Sequence, residues 1–199
     1  MRGGARAGHR ATTVRPVLLV HAGNRIDLPD RRTPRFPRAL VPLVQHRVAQ
    51  VLTDLRPSAV VSAAAAGADL IVLEEALRLG ITIHVALPLS VEQFRRRGCE
   101  DVGDDWAVRY DKVLAEAAAI GTVHIEDHRD DDEWYTHGND TILDRAADVA
   151  GSDSIYALVV RPHSGETSPS ATDLFAASAA ARGWPVIELS ITPETGVSA

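Results

Sequence analysis

Short apolar runs alternate with longer amphipathic stretches along almost the whole chain, and this alternation constrains the fold more than any other feature. Six runs have the length of a β-strand, at 17–20, 59–61, 81–87, 122–125, 155–160 and 185–189. Stretches with helical spacing separate them, at 37–55, 67–79, 104–119, 139–150 and 169–182, and a short capped helix follows Ser90. Strands that alternate with helices form a parallel sheet covered by helices on both faces.

The pattern therefore predicts a three-layer α/β fold of the Rossmann-like kind, with a mainly parallel sheet in the order 3-2-1-4-5-6. In such sheets, ligands bind outside the carboxyl ends of the strands, where the strand order reverses. The residues that follow each strand are consequently the candidates for a functional site.

Length and charge limit the organisation and the partners. A chain of 199 residues fits a single domain, which we expect at 16–191, between a disordered basic segment at 1–15 and a tail at 192–199. The net charge of −6 makes nucleic acid an unlikely partner. No apolar run has the roughly 18 residues needed to span a bilayer, so we expect no membrane contact. The single cysteine, Cys99, suits a cytoplasmic location.

The loop after the first strand carries polar groups that suit a nucleotide. Its candidate ligand-binding residues are Gly23, Asn24, Arg25, Asp27, Arg35 and Phe36. The glycine permits a phosphate to approach the backbone closely. The asparagine and the first arginine could donate hydrogen bonds, the aspartate could accept from ribose hydroxyls, and the last two residues offer a charged fork and a stacking face. The alternative is a solvated, proline-rich loop.

Small residues precede two helices, a pattern typical of anion sites at helix N-termini. After the second strand the candidates are Ala66, Gly67 and Asp69, and Pro88 ends the third strand. After the fifth strand they are Arg161, Gly165, Ser170, Thr172 and Asp173. The alternatives are an alanine-rich helix packed tightly on the sheet, and an ordinary N-cap in which Asp173 is a first-turn acid.

Metal and thiol chemistry are not expected. His124, Glu126 and His128 point the same way in an extended segment, but acidic residues typical of a solvated loop follow, so we predict no metal site. Cys99 has no zinc-type partner and is expected to be inert. His21, at a strand end, is expected to be a packed or hydrogen-bonded histidine rather than a base.

Taken in order, these residues resemble the SLOG superfamily of Rossmann-like domains, which includes LOG phosphoribohydrolases, the DNA-processing protein A fold and the ligand-sensing domains of TRPM channels. The likeness extends over residues 17–190. It is carried by the segments 23–27, 34–37 and 66–69, by Pro88, and by Ser152 and Asp153 leading to 170–173. It is nearest to a bacterial branch in signalling or conflict proteins, whose first loop reads Gly-His-x-Ile-Asp; here Asn24 replaces the histidine.

The resemblance implies that the loops after strands one, two and five bind a nucleotide or a nucleotide-derived small molecule, with no cofactor required. LOG enzymes carry Pro-Gly-Gly-x-Gly-Thr-x-x-Glu, whose glycines hold phosphate and whose glutamate serves N-glycosidic hydrolysis. Residues 168–173 read Ser-Pro-Ser-Ala-Thr-Asp instead, which favours binding over catalysis.

Three functions remain open at this point. The preferred one is a ligand-binding or ligand-sensing domain in bacterial signalling or defence. The second is a nucleotide N-glycosidase or phosphoribohydrolase, for which Asp173 and Asp27 are the candidate acids. The third is a structural interaction domain whose pocket has decayed. A homo-oligomer is compatible with each of them.

Overall fold

A computed structural model describes residues 16–103, 105–126, 134–162 and 169–191, and it contains the six predicted strands. The strands are β1 (Val17–Gly23), β2 (Ala59–Ser62), β3 (Thr82–Leu87), β4 (Thr122–Ile125), β5 (Ser154–Arg161) and β6 (Val186–Ser190). The helices are α1 (Val41–Leu55), α2 (Ala68–Arg78), α3 (Val91–Arg95), α4 (Trp106–Ile120), α5 (Trp134–Ala150) and α6 (Ala171–Ala181). A 3₁₀ turn, Arg38–Leu40, precedes α1, and a π-helical segment, Arg96–Glu100, follows α3. The predicted terminal segments, 1–15 and 192–199, lie outside the described residues.

All six strands are parallel and form one sheet between two layers of helices. Helices α1, α2 and α4 pack side by side on one face, and α5 and α6 pack together on the other. The central strands β1 and β5 are apolar on both faces: Leu18, Leu19 and Val20 pair with strand β5, whose Ala157 and Leu158 are also fully buried. Each such buried leucine or valine contributes about 2 kcal/mol to stability. The three-layer Rossmann-like fold is confirmed.

The strand order differs from the expected 3-2-1-4-5-6 in one respect, because it is β4-β3-β2-β1-β5-β6. Strand β4 lies at the edge beside β3, and β5 takes the place next to β1. The short, partly exposed β4 suits an edge, whereas the longer buried run of β5 suits the centre. Gly121 also permits the close approach, since a Cβ there would lie 1.8 Å from the Ile83 carbonyl oxygen.

This order places the reversal point between β1 and β5. The chain builds outward from β1 to β4, and α5 then carries it back across the sheet to β5. Helix α5 begins at Trp134 rather than at the predicted residue 139. Among the described residues, no helix combines the length and apolarity needed to cross a membrane.

Candidate functional site

A cleft of about 300 Å³ opens at the carboxyl ends of β1 and β5, where the strand order reverses. Its walls come from the loops after β1, β2 and β3, from α5 and from the start of α6. The lining residues are Ala22, Gly23, Asn24, Arg25, Arg35, Ala63, Ala65, Asp69, Pro88, Phe94, Gly138, Asn139, Ile142, Ser170, Ala171 and Thr172. The loops after strands one, two and five therefore converge on one cleft, as the position of the reversal requires.

The loop after β1 is joined to the turn before α2 by an antiparallel bridge between Arg25 and Gly67. The Ile26 N–H donates to the Ala66 carbonyl at 2.8 Å, and the Ala68 N–H donates to the Asn24 carbonyl at 3.2 Å. Gly67 is required here, because its φ is +122° and a Cβ would lie 2.5 Å from the Ile26 nitrogen. Gly67 and Ala66 thus shape the cleft from behind and do not line it.

The carboxylate of Asp69, in the first turn of α2, is held by backbone N–H groups of other segments. Its Oδ1 accepts the Gly23 N–H at 3.2 Å and its Oδ2 accepts the Ala65 N–H at 3.3 Å. The side chain is only 8% exposed. The chain's own carboxylate therefore uses two of the backbone donors at this end of the cleft.

His21 lies beneath this carboxylate and is fully buried. Its Nδ1 donates to the Leu158 carbonyl oxygen at 2.9 Å, since that oxygen can only accept. Its Nε2 lies 3.4 Å from Asp69 Oδ1. The histidine is hydrogen-bonded within the sheet, as expected, and its second ring nitrogen faces the Asp69 carboxylate.

Asn24 is a polar residue of the cleft whose side-chain oxygen has no hydrogen-bond partner in the part of the chain that the structure describes. Its backbone is held on both sides, because its N–H donates to the Val160 carbonyl at 2.9 Å and its own carbonyl accepts from Ala68. The residue is 8% exposed. Its Oδ1 is buried and has no hydrogen-bond partner among the described residues. A buried amide in this condition is uncommon and indicates that a partner is missing.

Asp27 and Phe36 stabilise the first loop instead of facing the cleft. Asp27 Oδ2 accepts the N–H groups of Arg35 at 2.9 Å and Phe36 at 2.8 Å. Phe36 is fully buried in the core and offers no ring face to a ligand in this conformation. Arg35, between them, lines the cleft.

Arg25 lines the cleft and also connects it to the π-helical segment. Its Nε donates to the Gly98 carbonyl at 3.1 Å, and its guanidinium pairs with Asp101. The Ala66 N–H donates to the same Gly98 carbonyl at 3.0 Å. The segment therefore supports both loops of this end of the cleft.

A capping box begins α6. The Ser170 hydroxyl accepts the Asp173 N–H at 3.2 Å, and Asp173 Oδ2 accepts the Ser170 N–H at 2.8 Å. Asp173 also pairs with Arg161, which donates to Glu188 at 2.9 Å. Partial burial disfavours the charged form of Asp173, but the hydrogen bonds from Ser170 and Arg161 outweigh it and lower its pKa. Asp173 is thus the capping acid of the structural alternative, and neither it nor Arg161 lines the cleft.

The next two residues of α6 keep their donors open. Ala171 and Thr172 line the cleft, and neither their N–H groups nor the Thr172 hydroxyl has a partner among the described residues. Helix N-termini leave such groups unpaired, and the helix dipole favours an anion beside them. The α6 end of the cleft is therefore the end with free hydrogen-bond donors.

Helix α5 contributes to the cleft in a way that the sequence pattern did not predict. Gly138, Asn139 and Ile142 line the cleft, and Asn139 Nδ2 donates to the Ala171 carbonyl at 2.9 Å, which joins α5 to the start of α6. A Cβ on Gly138 would lie 3.3 Å from Pro88, so the glycine lets the helix approach the end of β3. The available signal in the sequence was Gly138, directly before the predicted helix, because a glycine at such a position often marks a close approach of two segments.

Of the predicted ligand-binding residues, Gly23, Asn24, Arg25, Arg35, Asp69, Pro88, Ser170 and Thr172 line the cleft. The others that are described, Asp27, Phe36, Ala66, Gly67, Arg161 and Asp173, support it from behind. Gly165 lies outside the described residues.

The residues considered for metal and thiol chemistry lie elsewhere. At the end of β4, Nε2 of His124 lies 3.7 Å from Oε1 of Glu126. His128 lies outside the described residues. Within the described ranges, no three His, Cys, Asp or Glu side chains are grouped to hold a metal ion. Cys99 is buried, and burial raises its pKa to about 12, which disfavours a reactive thiolate.

Comparison with known proteins finds little. No protein-family model matches the chain, and no curated protein does. One similar solved structure is an X-ray structure of DNA processing protein A (DprA) from Streptococcus pneumoniae, with 12% sequence identity and a TM-score of 0.39. The alignment covers 87% of this chain and 58% of that chain. The fold assignment therefore rests on the strand topology described above.

Proposed function

We propose that this chain is a nucleotide-binding domain of the SLOG kind, which binds a nucleotide or a nucleotide-derived small molecule in the cleft between β1 and β5. The observation that carries the proposal is the cleft itself. It lies at the reversal point, and it combines open donors at Ala171 and Thr172 with the unsatisfied amide of Asn24. Apolar walls with a few convergent polar groups are typical of small-molecule sites.

The size of the cleft favours a small ligand. Small-molecule pockets span roughly 300–1,000 Å³. The observed volume of about 300 Å³ is at the lower limit, which suits a mononucleotide better than a dinucleotide. The phosphate of the mononucleotide binds at the start of α6, where the helix dipole favours an anion.

The hydrolase alternative has weaker support. Asp27 and Asp173 do not line the cleft, and both are used in hydrogen bonds to the chain. Asp69 is the carboxylate that lines it, and it accepts two backbone N–H groups. A decayed pocket is also less favoured, because the described residues leave a cleft of about 300 Å³. Binding without chemistry in a signalling or defence protein is the function that we propose.

Calorimetry and thermal unfolding with a ligand panel test the proposal. The panel contains AMP, GMP, CMP, UMP, NAD, ADP-ribose and a cyclic dinucleotide. A ligand present at a hundredfold excess over its Kd adds about 2.7 kcal/mol of stability, which is a readily measured shift. No response from any member, with folded protein, would argue strongly against nucleotide binding.

A pair of alanine variants localises the response. Ala65 is the partly exposed alanine of the β2 loop and lines the cleft, so Ala65→Leu should fill it and weaken binding at least tenfold. Ala118→Leu adds the same side chain to the exposed face of α4 and should leave binding unchanged. Equal binding by both variants would show that the ligand sits elsewhere. Incubation with the bound nucleotide, followed by an assay for free base, tests the hydrolase alternative.

A further inference from the structure

The two ends of the cleft differ in hydrogen-bonding character. At the α2 end, the N–H groups of Gly23 and Ala65 donate to the Asp69 carboxylate, and the Ala68 N–H donates to the Asn24 carbonyl. At the α6 end, the N–H groups of Ala171 and Thr172 have no acceptor among the residues that the structure describes. The side of the cleft at Asp69 and Asn24 therefore presents acceptors, and the Arg25 guanidinium beside it is paired with Asp101, whereas the α6 side presents donors.

Asn24 identifies what the α2 end lacks. Its Oδ1 is an acceptor that is buried in the cleft wall and has no partner among the described residues, although the residue is only 8% exposed. Such an oxygen is unfavourable until a donor reaches it. The N–H groups of Gly23, Ala65 and Ala68 already have acceptors, and the Asp69 carboxylate, which lines the same cleft, can only accept when it is ionised.

We propose that the α2 end of the cleft binds a hydrogen-bond donor of the ligand, a hydroxyl or amino group that donates to Asn24, and that it excludes phosphate. This inference rests on the proposed function and makes it narrower. The ligand class is a nucleotide with a single anionic end, such as a nucleoside monophosphate. Its phosphate lies at α6, and a sugar hydroxyl or a base amino group lies at Asn24. A second phosphate at the opposite end would meet the Asp69 carboxylate and be repelled, because the two arginines of the cleft, Arg25 and Arg35, already have partners.

The first test combines donor-deleted ligands with one variant. The tightest binder among AMP, GMP, CMP and UMP is compared by calorimetry with its 2′-deoxy, 3′-deoxy and amine-deleted analogues. One deletion should weaken binding to the wild type about tenfold, the size expected for one satisfied hydrogen bond. The same deletion should have little effect on binding to the Asn24→Ala variant, because this variant already lacks the acceptor of the contact, as a double-mutant cycle shows.

A second variant separates acceptor from donor at this position. Asn24→Asp keeps an acceptor and removes the amide donor, so it should retain binding within about threefold if the ligand donates. Loss of binding by folded Asn24→Asp would mean that the amide donates and would overturn the inference. If this variant does not fold, the cycle with Asn24→Ala decides, and a coupling below about threefold overturns it.

The polarity of the cleft is tested with a bisphosphate. Adenosine 3′,5′-bisphosphate should bind at least tenfold more weakly than AMP, and equal or tighter binding would show that the α2 end accepts phosphate. Failure of this inference can be distinguished from failure of the proposed function. Mononucleotides that bind without regard to Asn24 would leave the proposed function standing and refute this inference, whereas no binding by any mononucleotide would refute both.

Discussion

The starts of α2 and α6 have similar local sequences and face the same cleft, yet they present opposite chemistry. In each, small residues precede a helix with an aspartate in its first turn, Asp69 in one and Asp173 in the other. Asp69 takes N–H groups from the loops after β1 and β2 and faces the cleft. Asp173 caps its own helix and pairs with Arg161, which leaves Ala171 and Thr172 open.

The difference teaches that a helix N-terminus is not an anion site by sequence alone. The donors at both helix starts are comparable, and what differs is whether another part of the chain has already taken them. At α2 the antiparallel bridge brings the first loop close enough for the Asn24 carbonyl to accept the Ala68 N–H. At the start of α6 the neighbouring side chain is Asn139. It donates to the Ala171 carbonyl and so does not use the N–H groups of Ala171 and Thr172.

The largest expected effect tests how closely the first loop and α2 are packed. Gly67→Ala should destabilise the fold by about 4 kcal/mol, since it combines an unfavourable φ with a backbone clash. Gly80→Ala is the control, because Gly80 also has a positive φ, +71°, but nothing lies within 4 Å of an added Cβ. It should cost only about 1 kcal/mol. Urea unfolding measures both, and equal losses would contradict the close approach.

The two aspartates should differ in their contribution to stability. Asp69→Ala leaves the N–H groups of Gly23 and Ala65 without their acceptor, so it should cost about 3 kcal/mol. Asp173→Ala removes a partly exposed cap and should cost about 1 kcal/mol. Chemical denaturation of the two variants measures the difference. The reverse order would mean that α6, and not α2, is the more tightly held end.

Proline at the first helical position distinguishes used donors from open ones. Ala68→Pro removes an N–H that donates to Asn24 and should cost about 2 kcal/mol. Ala171→Pro removes an open N–H after an extended Ser170, with φ −79° and ψ 167°, and should leave stability within about 0.5 kcal/mol. The same Ala171→Pro variant should weaken nucleotide binding about tenfold. Unchanged binding would exclude the α6 start from the phosphate site.

The smallest effect is the pH dependence of the α6 cap. Hydrogen bonds from Ser170 and Arg161 outweigh burial and lower the pKa of Asp173 below its unfolded value. The stabilisation is therefore present above about pH 4 and is lost as pH falls through the lowered pKa. The stability difference between wild type and Asp173→Asn, below about 1 kcal/mol at neutral pH, should shrink on acidification to about pH 2. A constant difference across that range would contradict the lowered pKa.

Much of the fold and part of the site are local properties of the sequence. Apolar runs alternating with amphipathic stretches determine that strands alternate with helices, because each element must bury its apolar surface. The spacing of Ser170 and Asp173 determines a capping box within one turn. The rule that ligands bind at strand ends then selects the loops that contain Asn24, Asp69 and Thr172, which do converge on the cleft.

Only the tertiary structure decided the strand order and the use of each polar group. The position of β4 depends on a backbone contact between Gly121 and Ile83, and the role of α5 depends on where that order makes it cross the sheet. Asp27 supports the loop after β1, and Asp69 accepts the N–H groups of Gly23 and Ala65 before α2. The side-chain oxygen of Asn24 has no partner among the described residues. Hydrogen bonds between groups far apart in the chain decide such roles, so the sequence by itself determines which donors and acceptors exist, and only the fold determines which remain for a ligand.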